Sequence, residues 1–374
     1  MPSKVYEIIQ IDTINDFRSI ISRPELSDEI KRSAGIDFKK LFDNITPHGT
    51  DNLFLISDDF NRNLECGYQS VFSEMKARNN CGFFIFEDVH TVGYDSLLVD
   101  ERRSKVYIGQ MLNWSREYFN WWIECSDVGF QRWEDDNSFV ADFGPSANGF
   151  DGALLMNSPG YGIFGHWLID FVPRMALSKL IKGHAASKHL FGPLKEWMKD
   201  LVLRAGIKDY ASVGISFTRH SKLVVPSSTN SGYGFFEPIN SVAWRSLALS
   251  FNAENIGCSF TSSGRIFISR RHWQGDRAIG YYDELEALMS DLDFTVIHPE
   301  RLSLAEQAWL FSRAKIIVGE DGSALHNIIF SAPGTRLGVL MSAGRCNLWH
   351  AGICHLLGHH IAYAYLPSTE EAVS

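Results

Sequence analysis

From Arg265 onward, short apolar runs alternate with helical patterns in a way that few folds accept. Arg265–Ile268, Phe294–Ile297, Lys315–Val318 and Leu337–Leu340 read as strands. Asp283–Asp291, Ser303–Ala314, Ser323–Phe330 and Leu348–Leu357 read as helices, and Ser303 with Glu306 forms a capping box at the start of the second. Parallel neighbours need a crossover long enough to hold a helix, so this alternation predicts a parallel, doubly wound α/β sheet. Right-handed crossovers put the strand carboxyl ends on one edge, where such sheets bind ligands. The loops Ser269–Arg277, His298–Arg301 and Gly319–Ser323 fall on that edge.

The upstream half is patterned differently. Gly82–Glu87, Ser96–Val99 and Lys105–Ile108 read as a small β-meander within residues 81–109, turning at Gly93 and across Asp100–Ser104. Gln110–Cys125 is amphipathic and tryptophan-rich. An apolar run over Asp151–Asn157 leads into a glycine loop and then a helical pattern through Lys182. Leu223–Val225, closed by Pro226, reads as a short strand. A chain of 374 residues with 45% hydrophobic content is long enough for two ordinary cores. The expected domains are residues 1–210 and 211–374.

Composition narrows the function. A formal net charge of -9 argues against nucleic acid or an anionic membrane as partner. The six cysteines include no Cys-x-x-Cys pair, and their low density suits idle thiols in a reducing compartment. The Met1–Glu7 segment has no apolar signal region, and no run approaches the ~20 apolar residues of a membrane span. The expectation is a cytoplasmic protein.

Three segments carry chemistry. Gly319-Glu-Asp-Gly-Ser-Ala-Leu-His-Asn327 follows an apolar strand and opens a helix. Gly322 lets a ligand approach the backbone, and the helix start at Asp321, Gly322 and Ser323 offers amides and a positive dipole end to a phosphate. A tight turn capped by Asp321 or Ser323 explains the same residues. Arg270 and Arg271 end a strand on the same edge, where guanidinium suits phosphate oxygens, although surface arginines look alike in sequence. The backbone near Ile297 and His298 is placed to meet a nucleotide base.

The third segment is Gly160-Tyr-Gly-Ile-Phe-Gly-His-Trp-Leu-Ile-Asp-Phe-Val-Pro-Arg174. Its Gly160, Gly162 and Gly165 match a dinucleotide-binding pattern, but no second strand ending in an acidic ribose ligand follows. His166, Asp170 and Arg174 recur every four residues among apolar neighbours, so they share a helix face. Embedded there, they form either a catalytic group or a structural network. Pro173 is expected to kink or end the helix. Metal signals are weak: His355 and His359 could share a helix face, and Asp58-Asp59, Asp135-Asp136 and Asp291-Leu-Asp293 are acidic pairs of a common kind.

Taken together, these segments resemble glycosyltransferase family 61, especially bacterial members associated with capsular polysaccharide. The resemblance covers roughly residues 150–365. Its anchors are His166–Asp170 with Pro173-Arg174, and Gly319–Asn327 with Pro333-Gly334. Ile268-Ser-Arg-Arg271 and Leu302–Gln307 lie between them in the family's order. It implies a GT-B architecture of two Rossmann-like domains facing across a cleft. It implies an inverting mechanism with no bound metal or other cofactor, a nucleotide-sugar donor such as a UDP-sugar, and a glycan acceptor. His166 and Asp170 become the catalytic pair, supported by Arg174. Arg270, Arg271, His298, Asp321, Gly322, Ser323 and Asn327 become the donor site, supported by Glu306. A catalytically silent carbohydrate-binding relative and an NAD(P)-dependent oxidoreductase are the alternative readings.

Overall fold

The computed structural model describes residues 3–11, 53–55, 81–109, 112–179, 188–230, 234, 236–252, 264–273, 281–342 and 347–366. The chain divides into two compact units. The first holds the described residues of 1–41 and 79–229, the second those of 42–78 and 230–374.

The first unit is built on a mixed sheet. Its strands are β1 (Lys4–Gln10), β3 (Phe83–Val92), β4 (Leu97–Asp100), β5 (Lys105–Ile108), β6 (Phe130–Asp135), β7 (Ser138–Ala141), β8 (Ala147–Asn148), β9 (Ala153–Leu155), β10 (His189–Phe191), β11 (Tyr210–Ser212) and β12 (Thr218–Pro226). They run in the order β11-β10-β9-β12-β3-β4-β5-β1-β7-β6, with β8 also on β12. The expected meander is present as antiparallel β3-β4-β5. It is part of a larger sheet, because β3 also pairs antiparallel with β12, a longer strand than its apolar run predicts. Only β9, β10 and β11 with β8 and β12 give parallel pairs of the Rossmann kind, apart from β1 on β5. Helix α1 (Arg116–Cys125) is capped by Ser115 and buries Phe119, Trp122 and Ile123. Trp114 and Trp122 are core residues, whereas Trp121 is exposed.

After β9 comes the glycine loop and then a helix in three parts: α2 (Phe164–His166), a π-helical segment (Trp167–Phe171) and α3 (Val172–Ser178). Pro173 was expected to kink or end this helix; the helix does not end there. A proline ring collides with the carbonyl four residues back. The wider π turn, in which Val172 N–H reaches Trp167 O, relieves that crowding before the proline. Helix α4 (Glu196–Arg204) follows.

The second unit carries the parallel sheet expected from the alternation. The strands are β2 (Leu53–Leu55), β13 (Arg265–Ile268), β14 (Thr295–Ile297), β15 (Ile316–Glu320), β16 (Arg336–Ser342) and β17 (His360–Leu366), in the order β14-β13-β15-β16-β17-β2. Every pairing among them is parallel. Helices α5 (Ile239–Asn252), α6 (Tyr282–Asp291), α7 (Leu304–Arg313) and α8 (Trp349–Leu357) complete it. Helix α7 begins with the Ser303–Glu306 capping box and buries Leu304, Gln307, Ala308, Leu310 and Phe311 along one stripe. Leu304, Leu310 and Phe311 each contribute roughly 1.5–3 kcal/mol by leaving water. The segment Ser323–Phe330, expected as an α-helix, is a 3₁₀-helix.

Candidate active site

In the first unit the π turn places Asp170 inside the protein, 1% exposed, while the His166 ring remains 27% exposed. His166 Nδ1–H donates to Asp170 Oδ2 at 2.5 Å. A buried carboxylate is costly unless paired, and His166 is a partner for it. The ring is also fixed from the side. Gly160, at φ +81°, has left-handed backbone, and a Cβ there would stand 2.6 Å from His166 Cγ. Gly160 therefore makes room for an imidazole, whereas a Cβ at Gly162 would meet no neighbour.

Burial opposes the imidazolium of His166, but the charge and hydrogen bond of Asp170, with the charge of Asp95, outweigh it and raise its pKa above 6.5. A helix-start dipole by itself would bias the ring toward neutrality; here the two carboxylates decide the sign. Asp95 was not foreseen. It is 5% exposed, accepts a hydrogen bond from the Tyr118 hydroxyl at 2.7 Å, and has a pKa raised by burial. It is drawn to this place from β3–β4 because Asn157 donates to Tyr94 O at 2.6 Å and to Ser96 Oγ at 2.9 Å. Asn157 Oδ1 and Ser158 Oγ are buried without a hydrogen-bond partner among the described residues, so this loop offers polar atoms that a bound hydroxyl can satisfy.

Arg174 is fully buried and donates to the carbonyls of Met156, Leu155 and Pro226 at 2.9, 3.4 and 3.3 Å. It ties the ends of β9 and β12 together beneath the loop. Burial lowers its pKa to about 10, opposed by the charge of Asp170. Its effect on Asp170 is thus electrostatic, and its hydrogen bonds are structural.

In the second unit, the carboxyl ends of β13 and β15 bring two of the expected loops together. Arg270 Nη1 donates to Asp321 O at 2.5 Å and its guanidinium lies over Gly322, where a Cβ would collide with it. The Arg270 amide donates to Glu320 Oε1 at 3.2 Å, and the Tyr282 hydroxyl to Glu320 Oε2 at 3.1 Å. Arg271 turns elsewhere. It pairs with Asp283 and, at 3.3 Å, with Glu286 on α6, and the Asp283 contact raises its pKa. The two adjacent arginines are therefore not equivalent.

Asp321 is held by Asn347 Nδ2 at 2.7 Å, and its own amide donates to Leu340 O. That N–H is committed to the sheet, leaving Gly322 and Ser323 at the start of the 3₁₀-helix to offer amides. His350, fully buried, donates through Nε2 to Gly322 O at 3.2 Å. Its Nδ1 lies 3.6 Å from Asp321 Oδ1, near enough for attraction but too far for a hydrogen bond, and burial lowers its pKa. Asn327 is buried and donates to Gln307 Oε1 at 2.8 Å and Ala324 O at 3.0 Å, binding the 3₁₀-helix to α7. Glu306 is occupied with its cap on Ser303. His298 is partly exposed beside Glu286 at 3.9 Å, and burial lowers its pKa. Glu320, Tyr282, Asn347 and His350 were missed in the sequence; of these, only Glu320 lies within a recognised motif.

For metals, the described residues bring His272, His298 and Glu300 together, a group the sequence did not single out. His355 and His359 do not share a helix. Gly358, at φ +74°, ends α8 in left-handed backbone, and His359 lies beyond it. Asp58-Asp59 lies outside the described residues. Among the described residues, no helix is long and apolar enough to cross a membrane.

Residues 164–338 match the family model for Glycosyltransferase 61. The match starts at the first residue of α2 and takes in His166, Asp170, Arg270 and the Glu320–Asn327 segment. It supports a transferase that acts on a sugar donor and an acceptor. No curated protein matches the chain.

Proposed function

We propose that the chain is an inverting glycosyltransferase of family 61 that moves a sugar from a nucleotide-sugar donor, a UDP-sugar by resemblance, to a glycan acceptor. In this reading the first unit supplies the base and the second holds the donor; a GT-B arrangement, metal independence, a cytoplasmic location and a role in capsular or cell-surface polysaccharide belong to the same proposal. The observation that carries it is the partly exposed His166 ring hydrogen-bonded to the buried Asp170, within the stretch that matches the family.

In a single displacement, the acceptor oxygen forms a bond to the anomeric carbon as the bond to the diphosphate breaks, and the acceptor proton must go to a base. His166 takes it, and Asp170 stabilises the imidazolium that results, as a triad carboxylate does. Arg270 and the amides of Gly322 and Ser323 receive the charge that builds on the leaving diphosphate. Arg271 and Asn327, which were expected at the donor, serve this site by supporting its walls. Asp95 adds a second charge beside His166.

Thermal-shift measurements with nucleoside diphosphates, sugar nucleotides and NAD(P)H test the class of ligand. Stabilisation by a nucleoside diphosphate or its sugar conjugate, and none by NAD(P)H, is the expected outcome. The reverse pattern would favour the oxidoreductase reading.

A further inference from the structure

We infer that His272, His298 and Glu300 form a binding site for a transition-metal ion of the Zn²⁺ class. The ligands come from the ends of two adjacent parallel strands. β13 and β14 pair with Ile268 opposite Ile297, so the residues just after each strand emerge side by side. Beyond β13, the Trp273 N–H donates to Arg270 O at 2.7 Å and closes a turn that presents His272. Beyond β14, a 3₁₀ turn over Pro299–Arg301 folds Glu300 back toward His298.

Each residue offers one ligand atom, and these atoms all lie within 4.8 Å of one another. A tetrahedral ion with bonds near 2.0–2.2 Å wants them roughly 3.4 Å apart, so the side chains must draw in by ~1 Å. His272 and Glu300 are exposed and able to move that far. Two imidazoles and a carboxylate, with one position left for water, form a common zinc ligand set.

The hydrogen-bonding state of His298 suits this role. His298 Nε2 faces Glu286 Oε1 at 3.9 Å, while its buried Nδ1 has no hydrogen-bond partner among the described residues. A carboxylate behind one ring nitrogen, with the other left as ligand atom, is how metal-binding histidines are usually oriented. Arg301 Nη2 donates to His272 Nε2 at 2.7 Å. Arginine can only donate, so that nitrogen carries a lone pair. The exposed Arg301 guanidinium therefore caps one ring nitrogen of His272 and places a positive charge beside the site, so it must swing into solvent for that nitrogen to bind an ion.

Isothermal titration of ZnCl₂ into the full chain, in a non-chelating buffer, tests the assignment. The expected result is one equivalent bound per chain, weakened at least tenfold in His272→Ala and in Glu300→Gln. Arg301→Ala should bind Zn²⁺ several-fold more tightly, because it removes both the competitor and the repulsion. Absence of stoichiometric binding by the wild type, unchanged affinity in His272→Ala, or unchanged or weaker affinity in Arg301→Ala would each overturn the proposal. The readout is the ion itself, so the outcome is independent of glycosyl transfer.

Discussion

His166 Nδ1 and Asp170 Oδ2 meet at 2.5 Å, one partner reachable from solvent and the other sealed by the π turn. Substitution at the two positions should therefore have different consequences. Asp170→Asn keeps the volume but loses the charge that holds the imidazolium, so turnover should fall while nucleotide affinity stays near wild type. Asp170→Leu would leave the His166 ring without this partner, and thermal denaturation should show a further stability loss of about 1–3 kcal/mol.

The raised pKa of His166 fixes the direction of the pH dependence. As a base the ring must be neutral, so turnover should rise with pH through a limb lying above 6.5. Asp95→Asn removes one of the two carboxylate charges and should move that limb toward lower pH. A pH–rate profile of both proteins checks this; a limb that stays in place on substitution would remove Asp95 from the account.

Arg270 and Arg271 should separate in nucleotide binding. Charge-assisted hydrogen bonds to phosphate are worth roughly 1.5–3 kcal/mol, so Arg270→Ala should weaken nucleoside diphosphate at least tenfold in calorimetric titration. Arg271→Ala should bind nearly as wild type, because its guanidinium is engaged with Asp283 and Glu286. Gly322 has extended backbone at φ 162°, so Gly322→Ala adds no backbone strain. Its Cβ would instead displace the Arg270 guanidinium, and the expected result is lost nucleotide affinity with an unchanged melting temperature.

Activity should persist in EDTA, because Arg270 and the 3₁₀-helix amides take the diphosphate charge without an ion. Activity lost on chelation and restored by Mg²⁺ or Mn²⁺ would contradict this.

His359 should contribute to acid sensitivity. Burial lowers its pKa to about 4 in the fold, against 6.5 in the unfolded chain. The folded state binds fewer protons in that window, so this contribution is intact above 6.5 and is lost as pH falls toward about 4. The loss approaches roughly 3 kcal/mol at the lower end, at ~1.4 kcal/mol per pKa unit. Melting curves of His359→Gln across that range should be flatter than those of the wild type.

Four strands of the parallel sheet were legible because they are short apolar runs set between helical patterns, with Ser303 and Glu306 marking a helix start by local chemistry, whereas β2 and β17 were not read. The His166–Asp170 pair was legible for a similar reason: spacing along one helix is a local property. The rest depends on contacts between distant segments. Asp95 acts on His166 from a turn that Asn157 and Tyr118 hold, and His350 reaches Gly322 from a helix after the next strand. The π turn has no sequence period of its own. The mixed sheet of the first unit arises because β12 pairs with β3, a neighbour far away along the chain.

The central claim is tested most directly by nucleoside diphosphate release from a panel of sugar nucleotides, measured for the wild type and His166→Ala with and without glycan acceptors. The account predicts that the wild type consumes at least one sugar nucleotide. His166→Ala should bind the same nucleotide with near wild-type affinity but turn it over ~10²–10⁴-fold more slowly. A wild type that binds and consumes none of them, or a His166→Ala variant with normal turnover, would contradict it.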